Sequence, residues 1–270
     1  MTYTGYLQLE VGKKHNRSVI SNSYFDGVFK ITRPTYLPDG LPLLTLIHVG
    51  GGYVDGDRYK TEVKIGDGAK FALTTQASTK VYKCLKHGVS QEMDYFLGNE
   101  SELFLKQDSL ILYKDADFRQ YTNIYMKSSS VFYYTEIVTP GWSADGLLFQ
   151  YKKLAMKMKV YVDGRLEIFD HQLLKPCNQL ENIMQLEGYS HIGTLFIIHQ
   201  EVNDELLQEL RHTLKDIADV RVGISELNVK GLVIRILACG TPVIETIFSK
   251  CEKILHDKLY KTEQINWRKN

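Results

Sequence analysis

The stretch His48-Val49-Gly50-Gly51-Gly52-Tyr53-Val54-Asp55-Gly56-Asp57-Arg58 is where residue type and spacing come closest to chemistry. Three consecutive glycines permit positive φ and close backbone approach. A phosphate loop needs Gly-Lys-Ser/Thr at its end, and this stretch ends Gly-Asp-Arg. A dinucleotide fingerprint opens a helix, whereas Tyr59 to Ile65 reads as a strand, so no helix N-terminus faces a pyrophosphate. The carboxylates of Asp55 and Asp57 would also repel one. Two readings remain for the aspartates. As hard oxygen donors they suit a cation, with loop carbonyls brought close by the glycines. Alternatively each closes a tight turn by accepting local amide hydrogens.

Other clusters carry less. Cys84-Leu85-Lys86-His87 has metal-ligand spacing on one side only, and a closed zinc site needs four ligands. Neither a Gly-x-Ser-x-Gly elbow nor a reactive-cysteine signature is present. Thr74 to Tyr82 is rich in hydroxyls with one lysine, but lacks the glycines of a phosphate cradle. The aromatic run Val131-Phe132-Tyr133-Tyr134 has no basic residues between its rings and reads as sheet rather than a base-stacking platform.

The elements that must position these residues are mostly strands. Between Tyr24 and Phe169 short strand patterns alternate with tight turns. Lys60 to Ile65 alternates polar with apolar, Gly66-Asp67-Gly68 turns, and Phe71 to Thr75 returns as a strand. Met156 to Val162 alternates too, and Asp163-Gly164 predicts a two-residue hairpin into Arg165 to Phe169. Such spacing predicts a large, mainly antiparallel body, with no fixed repeat length. The last third changes character. Asn203 caps a helix whose stripe is Leu206, Leu207, Leu210, Leu214 and Ile217. Thr241, followed by Pro242, caps a second, running to about Tyr260 with the stripe Ile244, Phe248, Cys251, Leu255 and Leu259. Strands are predicted around 194–200, 220–225 and 231–238. No Pro/Ser/Gly-rich linker interrupts the chain. The expectation is therefore one domain over 1–270, strand-rich over 1–175 and mixed α/β over 176–270, with two helices.

Composition fits a soluble body. Of 270 residues, 44% are hydrophobic and 24% charged, and the 17 tyrosines and 11 phenylalanines favour strands. A net charge of +1 points to neither nucleic acid nor membrane. Cys84, Cys177, Cys239 and Cys251 are irregularly spaced and read as reduced thiols. The segment Met1 to Gly12 lacks the regions of a signal peptide, and the apolar runs are too short to span a bilayer, so a cytoplasmic protein is expected.

The order of motifs resembles one family. Gly51-Gly52 precedes Gly56-Asp57, then Thr74-Thr75 leads to Lys80 and Tyr82, Leu105 to Ala116 follows, and Pro140-Gly141 comes last with Gly146 and Phe149. This is similar to the UreD (UreH) family of urease accessory proteins, although Asp55 replaces a glycine of the family loop and Trp142 an arginine. The resemblance implies a β-helical fold with two helices and no catalysis by the chain itself. It implies partnership with a helical accessory protein (UreF), a GTPase (UreG) and apo-urease. No cofactor is held tightly, and nickel is in transit along an internal, water-filled path. Asp57 matches the loop aspartate and is the first candidate for that path. Asp55, Glu136 and Asp145 are further carboxylates near matched motifs, and Thr75 and Ser78 are candidates to orient waters. Two other readings stay open: a metal-dependent hydrolase built on Asp55 or Asp57, and an interaction module without a metal path.

Overall fold

The computed structural model describes residues 3–176, 186–260, 262 and 264–267. Cys177 lies outside them. The chain opens with a hairpin, β1 (Gly5–Lys14) and β2 (Arg17–Gly27), whose turn holds His15 and Asn16 at positive φ. Short strands β3 (Phe29–Ile31) and β4 (Thr35–Tyr36) lead into β5 (Pro42–His48). The chain then coils. β6 (Arg58–Ile65), β9 (Val89–Leu97), β12 (Asp117–Met126) and β14 (Lys153–Val162) lie on one wall. β7 (Lys70–Thr75), β10 (Glu102–Lys106) and β13 (Val131–Val138) lie on the facing wall. Between walls, β8 (Thr79–Val81) and β11 (Leu110–Leu112) form a narrow third side, continued by bridges of Tyr53 to Val81 and Tyr113 to Trp142.

The coil is a parallel one. β1, β6, β9, β12 and β14 pair in parallel on the first wall, and β5, β7, β10 and β13 on the second. Antiparallel pairing is confined to the margins: β2, β3 and β4 at one end, and at the other β15 (Arg165–Leu174), β16 (His191–Ile198), β17 (Arg221–Glu226) and β18 (Gly231–Ala238). The expectation of mainly antiparallel pairing is corrected accordingly, while the β-helical one holds. Most parallel sheets are covered on both faces and read as continuous apolar runs. Here the first wall has one face in solvent, so its strands alternate like antiparallel ones; β9 runs Val89, Gln91, Met93, Tyr95, Leu97 inward. The second wall is covered twice, and all eight residues of β13 are buried. Gly66-Asp67-Gly68 makes no hairpin; it bends the chain from one wall to the other, since β6 and β7 belong to different sheets. Leu43 pairs with Ala72, Ala72 with Phe104 and Phe104 with Tyr133, so a turn of the coil takes about 30 residues. The steps are unequal, which hides the repeat in the sequence.

Two helices back the second wall. α1 (Asp204–Leu214) starts where expected, with Asn203 Oδ1 accepting from the Leu206 amide at 3.0 Å. α2 (Thr241–Leu255) begins one residue earlier than expected: Gly240 is the cap, Thr241 is already helical, and no side chain caps the end. A π turn over His256–Tyr260 continues it. Ile244, Phe248, Cys251, Leu255 and Leu259 are all buried against the wall, together with Leu206, Leu207, Leu210 and Leu214. The helix stripes thus cover the sheet. No described helix is long and apolar enough to cross a membrane.

Candidate functional site

Inside the coil, register alone lines up side chains. Tyr59, Gln91, Gln120, Met156 and Gln172 are cross-strand neighbours on successive strands of the first wall, as are Thr61, Met93, Thr122, Met158 and Asp170. Adjacent strands are about 4.8 Å apart, so each row is roughly 19 Å long. Gln91, Gln120, Thr61 and Thr122 are buried at inward positions where their strands otherwise bury apolar residues. A third inward row, Val63, Tyr95, Ile124, Val160 and Ile168, is largely apolar. The interior therefore carries a polar file beside an apolar one.

A cavity of about 410 Å³ opens on this file at Thr61, Gln91 and Met93. The motif residues Gly51, Gly52, Thr74, Thr75 and Lys80 line it, with His48, Tyr53 and Gln107. Gly52 has φ +156°, and a Cβ there would lie 2.7 Å from Tyr82 Cε2 and 2.9 Å from the Lys80 carbonyl, so only glycine fits. Tyr82 donates its hydroxyl to the Gly51 carbonyl at 3.1 Å. The amides of Gln91 and Gln107 each reach the Met93 thioether at 3.4 Å, and Tyr53 donates to Gln91 Oε1 at 3.4 Å. Thr75 and Ser78 tie neighbouring turns of the coil: Thr75 Oγ1 donates to Asp108 at 2.8 Å, and Ser78 Oγ is 2.8 Å from Ser109 Oγ.

The four carboxylates named from sequence occupy four different settings. Asp57 lies beside the cavity: it accepts from the Tyr59 hydroxyl at 2.6 Å, the Val54 amide at 2.8 Å and Thr4 Oγ1 at 3.0 Å. Tyr59 stacks on Tyr53 at 3.8 Å and its hydroxyl is 3.3 Å from His48 Nε2, so Asp57 reaches the cavity wall through one phenol. Burial lowers the His48 pKa. Asp55 faces outward and accepts four backbone N–H groups, from Leu85, Lys86, His87 and Gly88, at 2.8–3.0 Å. Desolvation opposes its charge, yet these amides hold its carboxyl down at about 2. It clamps the next loop and has no oxygen turned to the file. Gly56 stands in the same clamp, its amide donating to the Gly88 carbonyl at 3.0 Å. Asp145 is in a surface turn, 3.0 Å from Lys114 Nζ, and the Ser143 hydroxyl, Lys114 and the Leu147 amide hold its carboxyl at about 2.

Glu136 alone is inside the coil, 6% exposed, on β13. Its Oε2 accepts from the Tyr134 hydroxyl and, at 3.5 Å, from Gln120 Nε2; its Oε1 accepts from Gln172 Nε2 at 3.3 Å. Burial pushes its carboxyl up to about 7, against the pull of Tyr134, Arg235 and Gln172, with Asp170 adding to the rise. Glu136 thus joins the polar file at Gln120 and Gln172. Cys84 and His87 do not form a pair: the thiol is buried, facing the Tyr82 and Asp117 carbonyls, and His87 is exposed. Among the described residues no three His, Cys, Asp or Glu side chains converge as metal ligands. The side chains of the file offer amides, hydroxyls, thioethers and two carboxyls, Glu136 buried within it and Asp170 at its end.

Sequence reasoning missed Gln91, Gln120, Thr122, Gln172, Asp170 and Arg235. A signal existed for the first three: each is polar at a position where its strand's alternation calls for an apolar side chain.

A parallel coil with helices against one wall and a polar file within it defines a β-helical protein with a partly polar interior. The family model of the UreD urease accessory protein matches residues 3–269, and the chain belongs to that family. Three relatives are each called urease accessory protein UreD. That of Bacillus sp. (strain TB-90) is 42% identical over the full length of both chains. That of Staphylococcus epidermidis is 35% identical over 98% of this chain and 97% of its own, and that of Bacillus cereus 34% identical over 98% of each.

Proposed function

We propose that this chain matures urease in the cytoplasm, as the scaffold through which nickel passes into the apo-enzyme. It does so in a complex with a helical accessory protein (UreF) and a GTPase (UreG), which supplies the nucleotide chemistry. Family membership supports the role in urease maturation. The polar file supports the passage of a metal: its rows run from the cavity beside Asp57 to Glu136, Gln172 and Asp170.

The single observation that carries the path is the position of Glu136. A buried carboxyl beside Gln120 and Gln172 offsets the charge of a dehydrated divalent cation that displaces those donors, and with no thiolate or imidazole hydrogen-bonded to it among the described residues it does not trap the ion. Glu136→Gln keeps the shape and removes the charge. With the urease genes co-expressed, we expect the complex with both accessory partners to assemble, and urease nickel content to fall about tenfold. Urease fully loaded with nickel by the variant would refute the path and leave a scaffold that only assembles partners.

The aspartates of the glycine loop do not favour a hydrolase. Asp55 holds four loop amides and Asp57 two hydroxyls and an amide, and neither carboxylate lines the cavity, so neither opens onto that space for a substrate.

A further inference from the structure

The far end of the polar file is crossed by a cation that the chain itself supplies. Arg235 projects from β18 on the helix-backed wall to β15 on the other. Its Nη2 is 2.5 Å from Asp170 Oδ1, its Nη1 donates to Thr194 Oγ1 at 2.6 Å, and its guanidinium lies 5.5 Å from the centre of the Phe196 ring. Three anchors fix the fork in place, so little side-chain freedom is lost on pairing. Asp170 is the last member of the row that begins at Thr61, and its other oxygen is 3.5 Å from Gln172 Nε2, which also donates to Glu136. The side chains of Asp170 and Arg235 are 22% and 34% exposed, so the pair stands where the file meets solvent between the walls. A mere tie between the walls needs no cation here: Asn228 Nδ2 already donates from the β17–β18 turn to Glu167 on β15 at 2.7 Å.

We infer that Arg235 is a built-in counter-ion that occupies Asp170 and closes this end of the file to divalent cations until something draws it away. Asp170 is the carboxylate next in line beyond Glu136, and a cation leaving Glu136 must compete with a guanidinium for it. The inference rests on the reading of the file as a metal path, but it concerns a different property: whether a carboxylate at the exit is withheld.

The test is a calorimetric titration of the full chain with nickel chloride at fixed pH and salt. Arg235→Met keeps the stem over Phe196 and drops the charge, and it is expected to bind nickel about fivefold more tightly than the parent. Arg235→Lys retains a cation and is expected to match the parent. Arg235→Met with Asp170→Asn is expected to lose the whole gain. Parent-like or weaker binding by a folded Arg235→Met chain overturns the inference, as does a gain that survives Asp170→Asn. Should Arg235→Met not fold, Thr194→Val removes one anchor of the guanidinium and is expected to give about a twofold gain; no gain there overturns it equally. The two readings fail separately. If Arg235→Met tightens nickel but Glu136→Gln still loads urease, the path falls and the counter-ion stands. If Glu136→Gln blocks loading and no Arg235 or Thr194 variant alters affinity, the reverse holds.

Discussion

The second wall of the coil has two faces, and they bound two different cores. Outward, the row Leu43, Ala72, Phe104, Tyr133, Ile197 and Leu232 meets the helix stripes. Some polar groups at its border are tied off: the Glu252 carboxylate accepts from Trp267 Nε1 at 2.6 Å and Gln264 at 3.2 Å, and His256 is 2.9 Å from Thr262, whereas the buried Tyr133 and Tyr260 hydroxyls have no hydrogen-bond partner among the described residues. Inward, the same wall presents Leu73, Leu105 and Tyr134 to a space whose other side is lined by glutamines, threonines and thioethers. One sheet thus separates a region built to exclude water from one built to keep polar groups within reach. The difference teaches that packing and polar groups are divided between the faces of a single wall, so if the proposed passage uses the inner face, substitutions on the two sides should have opposite signatures.

The largest effect belongs to the outer face. Phe248 on α2 is 2% exposed and packs in the helix-backed core. Phe248→Ala is expected to cost about 4 kcal/mol in a denaturant titration, by lost transfer energy and an unfilled cavity. Urease loading per folded molecule should be unchanged. A specific loss of loading without loss of stability would break the division between the faces. Gly52→Ala comes next, on the inner side. Its Cβ would overlap Tyr82 and the Lys80 carbonyl, so either the loop shifts or about 2 kcal/mol is lost, and the cavity mouth changes with it.

How much of this was legible in the sequence follows from the same division. Local patterns were readable: the structure places both helix stripes, the Asn203 cap and the Asp163-Gly164 turn, except that Ile217 falls beyond the end of α1 at Leu214. Parallel pairing was not, because a period of two reports which face is buried and nothing about which strand lies alongside. The Gly51-Gly52 and Thr74-Thr75 motifs were found at the cavity, but Asp55, Asp57, Glu136 and Asp145 were grouped by nearness to motifs along the chain. In space they separate into a loop clamp, a cavity-side hydrogen bond, a buried carboxyl and a surface turn. The file itself arises from residues about thirty positions apart in unequal steps, and only the register aligns them.

A pH titration sharpens the comparison further. Glu136 has a folded pKa raised from the ordinary 4.5 to about 7. Between those values the folded chain binds a proton that the unfolded chain releases, so this residue's contribution to stability is fullest below about 4.5, declines as pH rises to 7 and levels off beyond. Glu136→Gln removes that dependence. Relative to the parent, the variant should gain on the order of 2 kcal/mol between pH 5 and pH 8, measured by denaturant midpoints. Equal pH profiles for the two chains would place the carboxyl in a wetter setting than a closed interior gives it.

The smallest effect on stability is the one that most directly divides the faces. Gln120 sits in the middle of the file, 5% exposed, between Gln91 and Met156, with a single long hydrogen bond of 3.5 Å to Glu136. Gln120→Met is close to isosteric and fits a row that already holds a methionine, so the folded state loses one weak bond and one buried amide together. Those changes largely cancel, and stability should move by less than about 1 kcal/mol in either direction. Tyr134 and Gln172 still donate to Glu136, so its carboxyl keeps two partners. What disappears is an amide donor set between the cavity and the carboxyl. If the inner face exists for passage, nickel loading of co-expressed urease should fall several-fold while the denaturation curve stays where it was. If loading is untouched, the polar side chains of the inner rows are filling for a wide coil, and the two faces of the second wall differ in packing alone.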